Sequence, residues 1–368
     1  MKRQLFLSLL VAGTAHAGSL ELDARFDSDN TQYNDAAKTA GAKDATNLTM
    51  QTGRLDYKGK VSDALSFRFR TRFNRASDST ANAGTAGVRG NDSLNATVDF
   101  ASLTHKVMDN LSVTVGKTST EVGGFEVATP GSDLYFKSQA YRDLDYGSTV
   151  VASLSNSAAN PGSRGLNVVY AGGVKAVYSI AGQDIGVMVA NGPQTSAEQS
   201  KLMSGVVWKG SFLDKQLQTV VSYHATSFDQ TNKPDLKANF LTAGLKWDAG
   251  AWFTSLDVSN FTYGKLSDPN DDTTMSVVLL GGMKFMDNHA VKLMVESSQA
   301  KTGAATQVNY KFMGYGLAYE YKPIADTNFR YHVAYTSRTA SNGDISGYQD
   351  RIENHVIFGA KLLADFLK

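Results

Sequence analysis

Hydrophobic and polar positions alternate along most of the chain. The alternation is plainest in Ser66–Asn74, SFRFRTRFN, where Phe67, Phe69, Thr71 and Phe73 interleave with Arg68, Arg70 and Arg72. A period of two marks a strand with two different faces. The same unit recurs: an alternating strand, a tight turn, a second alternating strand, then a longer polar segment. Three turns resemble one another, KVSDALSFRF at Lys60, KVMDNLSVTV at Lys106 and KFMDNHAVKL at Lys284. Each passes through Asp or Asn, which tolerate left-handed backbone and cap turns with their own side chains. Further short connections are expected at Ala181–Gln183, Gly210–Lys215, Asp248–Gly250 and Lys322–Thr327, seven in all. Between them lie eight longer polar segments, near 28–46, 75–92, 118–165, 192–200, 228–235, 263–272, 299–306 and 339–350. Seven turns and eight loops predict an all-β chain of sixteen strands with both ends on the short-turn side.

One stretch tests the count. From Leu166 to Ile180 the even positions Leu166, Val168, Tyr170, Val174, Ala176, Tyr178 and Ile180 keep phase across Gly172-Gly173, which predicts one long strand. A one-residue slip would exchange the two faces. The alternative, with a turn at Gly172-Gly173 and a further strand over Tyr146–Leu154, gives eighteen.

Even strand number, short turns on one rim and long loops on the other describe a transmembrane antiparallel β-barrel. SFRFRTRFN has about the 9–11 residues that a tilted strand needs to cross a bilayer. Its Phe row then faces lipid and its Arg row a water-filled lumen, because each Arg on the lipid face would cost about 2–4 kcal/mol near mid-membrane. Trp208, Trp247, Trp252, Phe285, Tyr321 and Phe329 fall beside the short turns, where a girdle of rings sits at headgroup level.

The composition agrees. The 368 residues hold 33 Gly, 6 Pro, 16 Tyr and 18 Phe, which favours strands and turns over helices. The N-terminus, MKRQLFLSLLVAGTAHA, has a basic start, a short apolar run and an Ala15-His16-Ala17 cleavage pattern. It reads as a signal peptide over 1–17, with the barrel over 18–368 and Gly18 as the mature start. Removing Lys2 and Arg3 leaves 34 basic against 35 acidic residues, a balance that argues against a nucleic-acid binder. Cysteine is absent, which excludes disulfides, thiol catalysis and cysteine-based metal sites.

On these features the chain resembles the Gram-negative outer-membrane porins over essentially its mature length, including the phosphate-selective ones. The fifth strand, LSVTVGK, leads through TSTEVGGFEVATPG into the longest loop, and a Gly-Lys or Gly-Arg opening is similar to the one before the inward-folded third loop of porins. The resemblance implies that the loop Thr118–Gly165 narrows the pore, with Glu121, Glu126, Asp133, Lys137, Arg142, Asp143 and Asp145 near the constriction. It also implies a homotrimer embedded in outer-membrane lipid, passive diffusion of small hydrophilic solutes and ions, and no cofactor. Porin chains usually end in an aromatic residue; here Phe366 lies two residues before Lys368, which leaves the assembly signal open.

With the faces assigned, the inward basic residues are Arg25, Arg54, Lys58, Lys60, Arg68, Arg70, Arg72, Lys175, Lys246, Lys284, Lys292 and Arg330. The inward acidic residues are Glu21, Asp23, Asp56, Asp99, Asp257, Glu296 and Glu320. Twelve against seven predicts a basic wall and a weak preference for anions, densest in the ladder Arg54, Lys58, Arg68, Arg70 and Arg72. The competing reading is that these cations pair with Asp56, Asp99 and loop carboxylates and only stiffen the wall. No nucleophile motif and no paired metal-ligand spacing is present among the scattered His residues, so an enzyme is not expected. SDPNDDTT at Ser267 gathers oxygen ligands but reads as an exposed loop tip rather than a calcium or other metal site. The second functional reading is a structural or adhesive barrel with an occluded lumen.

Overall fold

The computed structural model describes residues 18–39, 41–75, 94–144, 166, 168–193, 201–230, 233–265, 271–303 and 308–367. It contains sixteen strands: β1 (Ser19–Tyr33), β2 (Ala45–Lys60), β3 (Leu65–Arg75), β4 (Leu94–Met108), β5 (Leu111–Ser119), β6 (Tyr170–Ile180), β7 (Gln183–Asn191), β8 (Leu202–Phe212), β9 (Leu217–Gln230), β10 (Lys233–Asp248), β11 (Trp252–Lys265), β12 (Asp272–Phe285), β13 (His289–Lys301), β14 (Asn309–Tyr321), β15 (Asn328–Ser341) and β16 (Arg351–Asp365). Each pairs antiparallel with its sequence neighbours, and β1 pairs β16 from Glu21↔Asp365 to Tyr33↔Glu353, which closes the barrel. Closure leaves no strand edge open, so outside its bulges the ladder is paired within the sheet.

The outward rows are apolar and exposed, while the inward rows are small, polar or charged. On β7, Ile185, Val187 and Val189 are about half exposed and Met188 and Ala190 are buried inside. That inversion of a soluble sandwich suits a lipid surround. Seven short connections and both described chain ends share one rim. In the Lys284 turn, Met286 and Asp287 both take left-handed backbone (φ 51° and 56°), the conformation that Asp there was expected to accept.

Three boundaries differ from the sequence expectation. β1 runs on to Tyr33, into the segment 28–46 expected as loop, still paired with β16. The segment 228–235 is no long loop: β9 runs to Gln230, β10 starts at Lys233, and these two residues pair. β6 begins at Tyr170 rather than Leu166. Leu166 and Val168 instead donate backbone hydrogen bonds to Asp143 and Leu144 of the long loop (3.0 and 3.2 Å), and their side chains are buried against it. The apolar positions continued the pattern there because Leu166 and Val168 are buried against the loop, which period alone does not distinguish from facing lipid. Gly172-Gly173 lies within β6, not at a turn; Tyr146–Leu154 lies outside the described residues.

The apolar core of the molecule sits inside the barrel. Val122, Ala140, Leu144, Leu166 and Val168, from the connection between β5 and β6, pack on Met188, Met203, Ala238, Phe240, Phe261 and Tyr263 of the wall. The larger of these side chains contribute about 1.5–3 kcal/mol each when buried, enough to hold the loop in the lumen.

Candidate functional site: the lumen constriction

The loop leaves β5 through Gly116-Lys117. Gly116 has φ +112°, and a Cβ there would stand 2.3 Å from the Ala101 carbonyl oxygen, so both the conformation and the close approach demand glycine. After a short helix α1 (Asp35–Thr39) in the first long connection, the remaining helical pieces among the described residues belong to this loop. They are α2 (Phe125–Ala128), a 3₁₀ turn (Gly131–Asp133) and α3 (Gln139–Leu144).

Polar wall residues anchor the loop. Asp257 of β11 accepts the Phe125 and Glu126 amides (3.0 and 2.7 Å). Glu296 of β13 accepts the Gln139 amide (2.6 Å), and Arg338 of β15 donates to Gln139 Oε1 (2.6 Å). Tyr263 and Thr274 donate to Asp143 (3.1 and 2.9 Å), and the His224 ring lies 2.8 Å from the Thr120 carbonyl. Glu126 itself accepts the Ser138 amide at 2.8 Å, with the Ser138 hydroxyl at 2.5 Å. Burial pushes the Glu126 carboxyl up to about 8, against the Ser138 hydrogen bonds and with the help of the nearby Glu296 and Asp257 carboxylates. It is therefore protonated at neutral pH.

The loop tip crosses to the opposite wall. Arg25 of β1 donates to the Leu134 carbonyl (2.7 Å). Asp133 meets Lys292 of β13 (2.5 Å) and Lys361 of β16. Behind it, Glu320 of β14 accepts from Lys292, Arg330, Lys361 and the Tyr135 hydroxyl at 2.6–3.0 Å. Burial alone would raise the Asp133 carboxyl, but Lys292 and Lys361 hold it far below the usual range. Burial and Glu320 hold the Tyr135 phenol far above its usual value, so it stays a neutral donor.

The residues expected near the constriction divide by role. Asp133, Lys137 and Arg142 line the open cavities. Glu126 and Asp143 are buried anchors, 3% and 1% exposed, because the wall supplies their partners. Glu121 lies against the wall with Lys175 and Lys209 (3.2 and 2.9 Å), which overcome its burial and hold its carboxyl low. Asp145 lies outside the described residues.

The basic ladder is drawn together by register. Arg54↔Arg72, Asp56↔Arg70 and Lys58↔Arg68 are directly opposed across β2 and β3. A bulge in β4 turns both Asp99 and Phe100 inward, and Arg68 and Arg70 lie over the Phe100 ring at 3.9 and 4.4 Å. Tyr170, in phase with an outward row by sequence, is also inside, 5.0 Å from Arg70. Arg68 is bidentate to Asp56 (2.5 and 2.9 Å), and Arg72 and Arg70 meet Asp99 at 2.8 and 3.2 Å. Lys58 holds Glu21 at 2.9 Å. Arg54 alone of the five stands off, 4.0 Å from Asp23 and 3.9 Å from Asp99.

Three cavities follow the loop. The upper one, toward the long loops, holds about 380 Å³; Arg25, Arg54, Arg72, Lys137, Arg142 and Arg338 face Asp27, Asp29 and Glu353. A lower one of about 340 Å³ sets Arg54, Lys58, Arg68, Arg70, Arg330 and Lys361 against Glu21, Asp23, Asp56 and Asp133. The third, about 610 Å³, lies on the short-turn side with Lys209, Lys246, Lys284, Lys292 and Arg330 against Asp133 and Asp248. Arg338 and Lys361 were not expected from the sequence. The alternation that places Arg330 inside, carried eight residues on, reaches Arg338, and on β16 the phase of Ile357 reaches Lys361.

Among the described residues no group of three or more His, Asp or Glu is placed to hold a metal ion. Of the acidic tip at Ser267, residues 267–270 lie outside the described residues; Asp271 pairs with Lys237 (3.1 Å), and Asp272 accepts the Gly303 amide.

Residues 20–160 match the family model for phosphate-selective porins O and P. No curated protein sequence matches the chain. Among solved structures, an anion-selective porin from Comamonas acidovorans superposes with a TM-score of 0.63 at 12% identity, covering 95% of this chain and 99% of that one. The trimer form of OmpT from Vibrio cholerae gives 0.60 at 13%, covering 95% and 100%. The outer-membrane channel DcaP of Acinetobacter baumannii gives 0.60 at 14%, covering 93% and 96%. These likenesses show a shared sixteen-stranded barrel.

Proposed function

We propose that this chain is a porin of the bacterial outer membrane, a diffusion channel whose pore passes small hydrophilic solutes with a preference for anions. The observation that carries this reading is the charge of the path. In each of the three cavities the cationic side chains outnumber the carboxylates, six to three in the upper one. Fields from walls of one sign concentrate the opposite ion where the passage is narrow. The preference is modest, because Arg68, Arg72 and Lys58 are already paired, and the Debye length of about 8 Å at physiological salt screens the wider chambers. The phosphate-selective family match and the anion-selective porin of the same fold support the same sign. The trimeric OmpT form supports a homotrimer, and Ala15-His16-Ala17 supports a signal peptide over 1–17.

Reversal potentials across a planar bilayer under a potassium chloride gradient test the reading. The expected result is a chloride-preferring wild type that shifts toward potassium in an Arg68/Arg70/Arg72→Glu triple variant. A cation-preferring wild type would overturn it, and a bilayer without stepwise openings would favour an occluded structural barrel.

A further inference from the structure

Arg54 and Tyr141 are the two residues that line both the upper and the lower cavity. Among the described residues the two cavities therefore adjoin at this pair. Beside Arg54, the loop presents Gly131, where an added Cβ would already lie 3.4 Å from Arg54 Nη2 and from Thr52 Oγ1. The absence of a side chain at 131 leaves the gap beside the guanidinium open.

The cations nearby differ in what their donors are doing. Arg68 spends its fork on Asp56, Arg72 donates to Asp99, and Arg25 spends its own on Asp27 and the Leu134 carbonyl. Arg54 makes no hydrogen bond among the described residues: its carboxylate neighbours stand at 3.9 and 4.0 Å, and its buried Nε has no partner. Arg70 also has unpartnered nitrogens, but it lies 3.2 Å from Asp99, is covered by the Phe100 and Tyr170 rings, and faces only the lower cavity.

Resting on the anion-preferring reading, we infer that Arg54 is the specificity-determining residue of the eyelet and that its open fork favours planar carboxylates over halides of the same charge. A guanidinium meets a carboxylate through two parallel N–H···O bonds, a geometry that a spherical ion cannot use. The carboxylates at about 4 Å weaken the hold, so the anion is passed on rather than trapped. General charge excess draws anions in, and Arg54 sorts among them.

The test compares acetate with chloride in bi-ionic potentials, together with chloride against potassium, for the wild type, Arg54→Lys and Arg68→Lys. Lysine keeps the charge and loses the fork. In the wild type, acetate is expected to permeate at least as well as chloride despite its lower mobility in water. Arg54→Lys is expected to lower the acetate-to-chloride ratio by about threefold and to move chloride over potassium far less, since the charge is kept. Arg68→Lys is expected to lower the acetate-to-chloride ratio much less than Arg54→Lys, since that fork is occupied by Asp56. An unchanged acetate-to-chloride ratio in Arg54→Lys, or an equal fall in Arg68→Lys, overturns the inference while leaving the anion preference standing. A cation-preferring wild type would instead remove the reading beneath it. Should Arg54→Lys fail to assemble, a wild type that passes acetate less well than its mobility predicts overturns the inference by itself.

Discussion

Replacing Glu126 by glutamine tests how the constriction loop is held. Glu126 is 3% exposed, bound to Ser138 across the loop, with the Asp257 and Glu296 carboxylates of the wall beside it. Its carboxyl titrates at about 8 instead of the ordinary 4.5. The docked loop thus keeps a proton that the undocked chain loses, so docking is unaffected below 4.5. It weakens as pH rises from 4.5 to 8 and levels off above. At ~1.4 kcal/mol per pH unit, that span corresponds to about 5 kcal/mol. About a tenth of the molecules carry the charge at pH 7 and about nine tenths at pH 9, so the change falls in an accessible window. Glutamine keeps the shape and never ionises; exchanging one neutral hydrogen-bonding group for another costs about 1 kcal/mol. Single-channel recordings from pH 6 to 9.5 are the assay. The wild type is expected to show rising current noise and altered conductance with a midpoint near pH 8, and Glu126→Gln a flat profile matching the wild type at pH 6. A variant that titrates like the wild type, or a wild type without a transition in that range, would show that a protonated Glu126 does not hold the loop.

Three further outcomes follow from the same geometry. Asp133→Asn removes the carboxylate between Lys292 and Lys361 and adds net positive charge at the loop tip; reversal potentials should move further toward chloride. In the wild type the depressed Asp133 carboxyl keeps its contribution above 3.8 and loses it only as pH falls through its lowered value, so conductance should hold steady between about pH 4 and 6. Phe240→Ala removes a fully buried ring packed on Phe261 and Tyr263 (5.3 and 6.0 Å between centroids) and should cost about 3–5 kcal/mol of loop docking, read as faster protease cleavage within 120–169 of an otherwise intact barrel. Purified outer-membrane material should begin at Gly18 and migrate as a heat-modifiable oligomer; a Met1 start or a monomer before boiling would count against those two proposals.

Period-two alternation determined the barrel by itself. SFRFRTRFN leaves a single assignment of faces, because three arginines cannot sit in lipid, and the order of short and long connections sets both strand number and rim. The inward charges of β2 and β3 were legible for the same reason. What the alternation could not show was how far each charge is already neutralised, since that depends on partners brought across the lumen. Asp56 occupies Arg68, and Asp99 reaches Arg72 but falls about an ångström short of Arg54, beside one bulge in β4. Phe100 faces inward through that bulge, and bulges carry no signal in a binary pattern. The loop was legible as long and, by its Gly-Lys opening and resemblance, as pore-narrowing, but not in its fold. Its fold depends on Met203, Phe240 and Phe261, inward residues that are apolar because they meet the loop instead of water, and only the tertiary structure brings those surfaces together. The same meeting separates Glu126 and Asp143, buried as anchors, from Asp133, Lys137 and Arg142, left at the opening, because burial belongs to the assembled barrel and not to the order of residues along the chain.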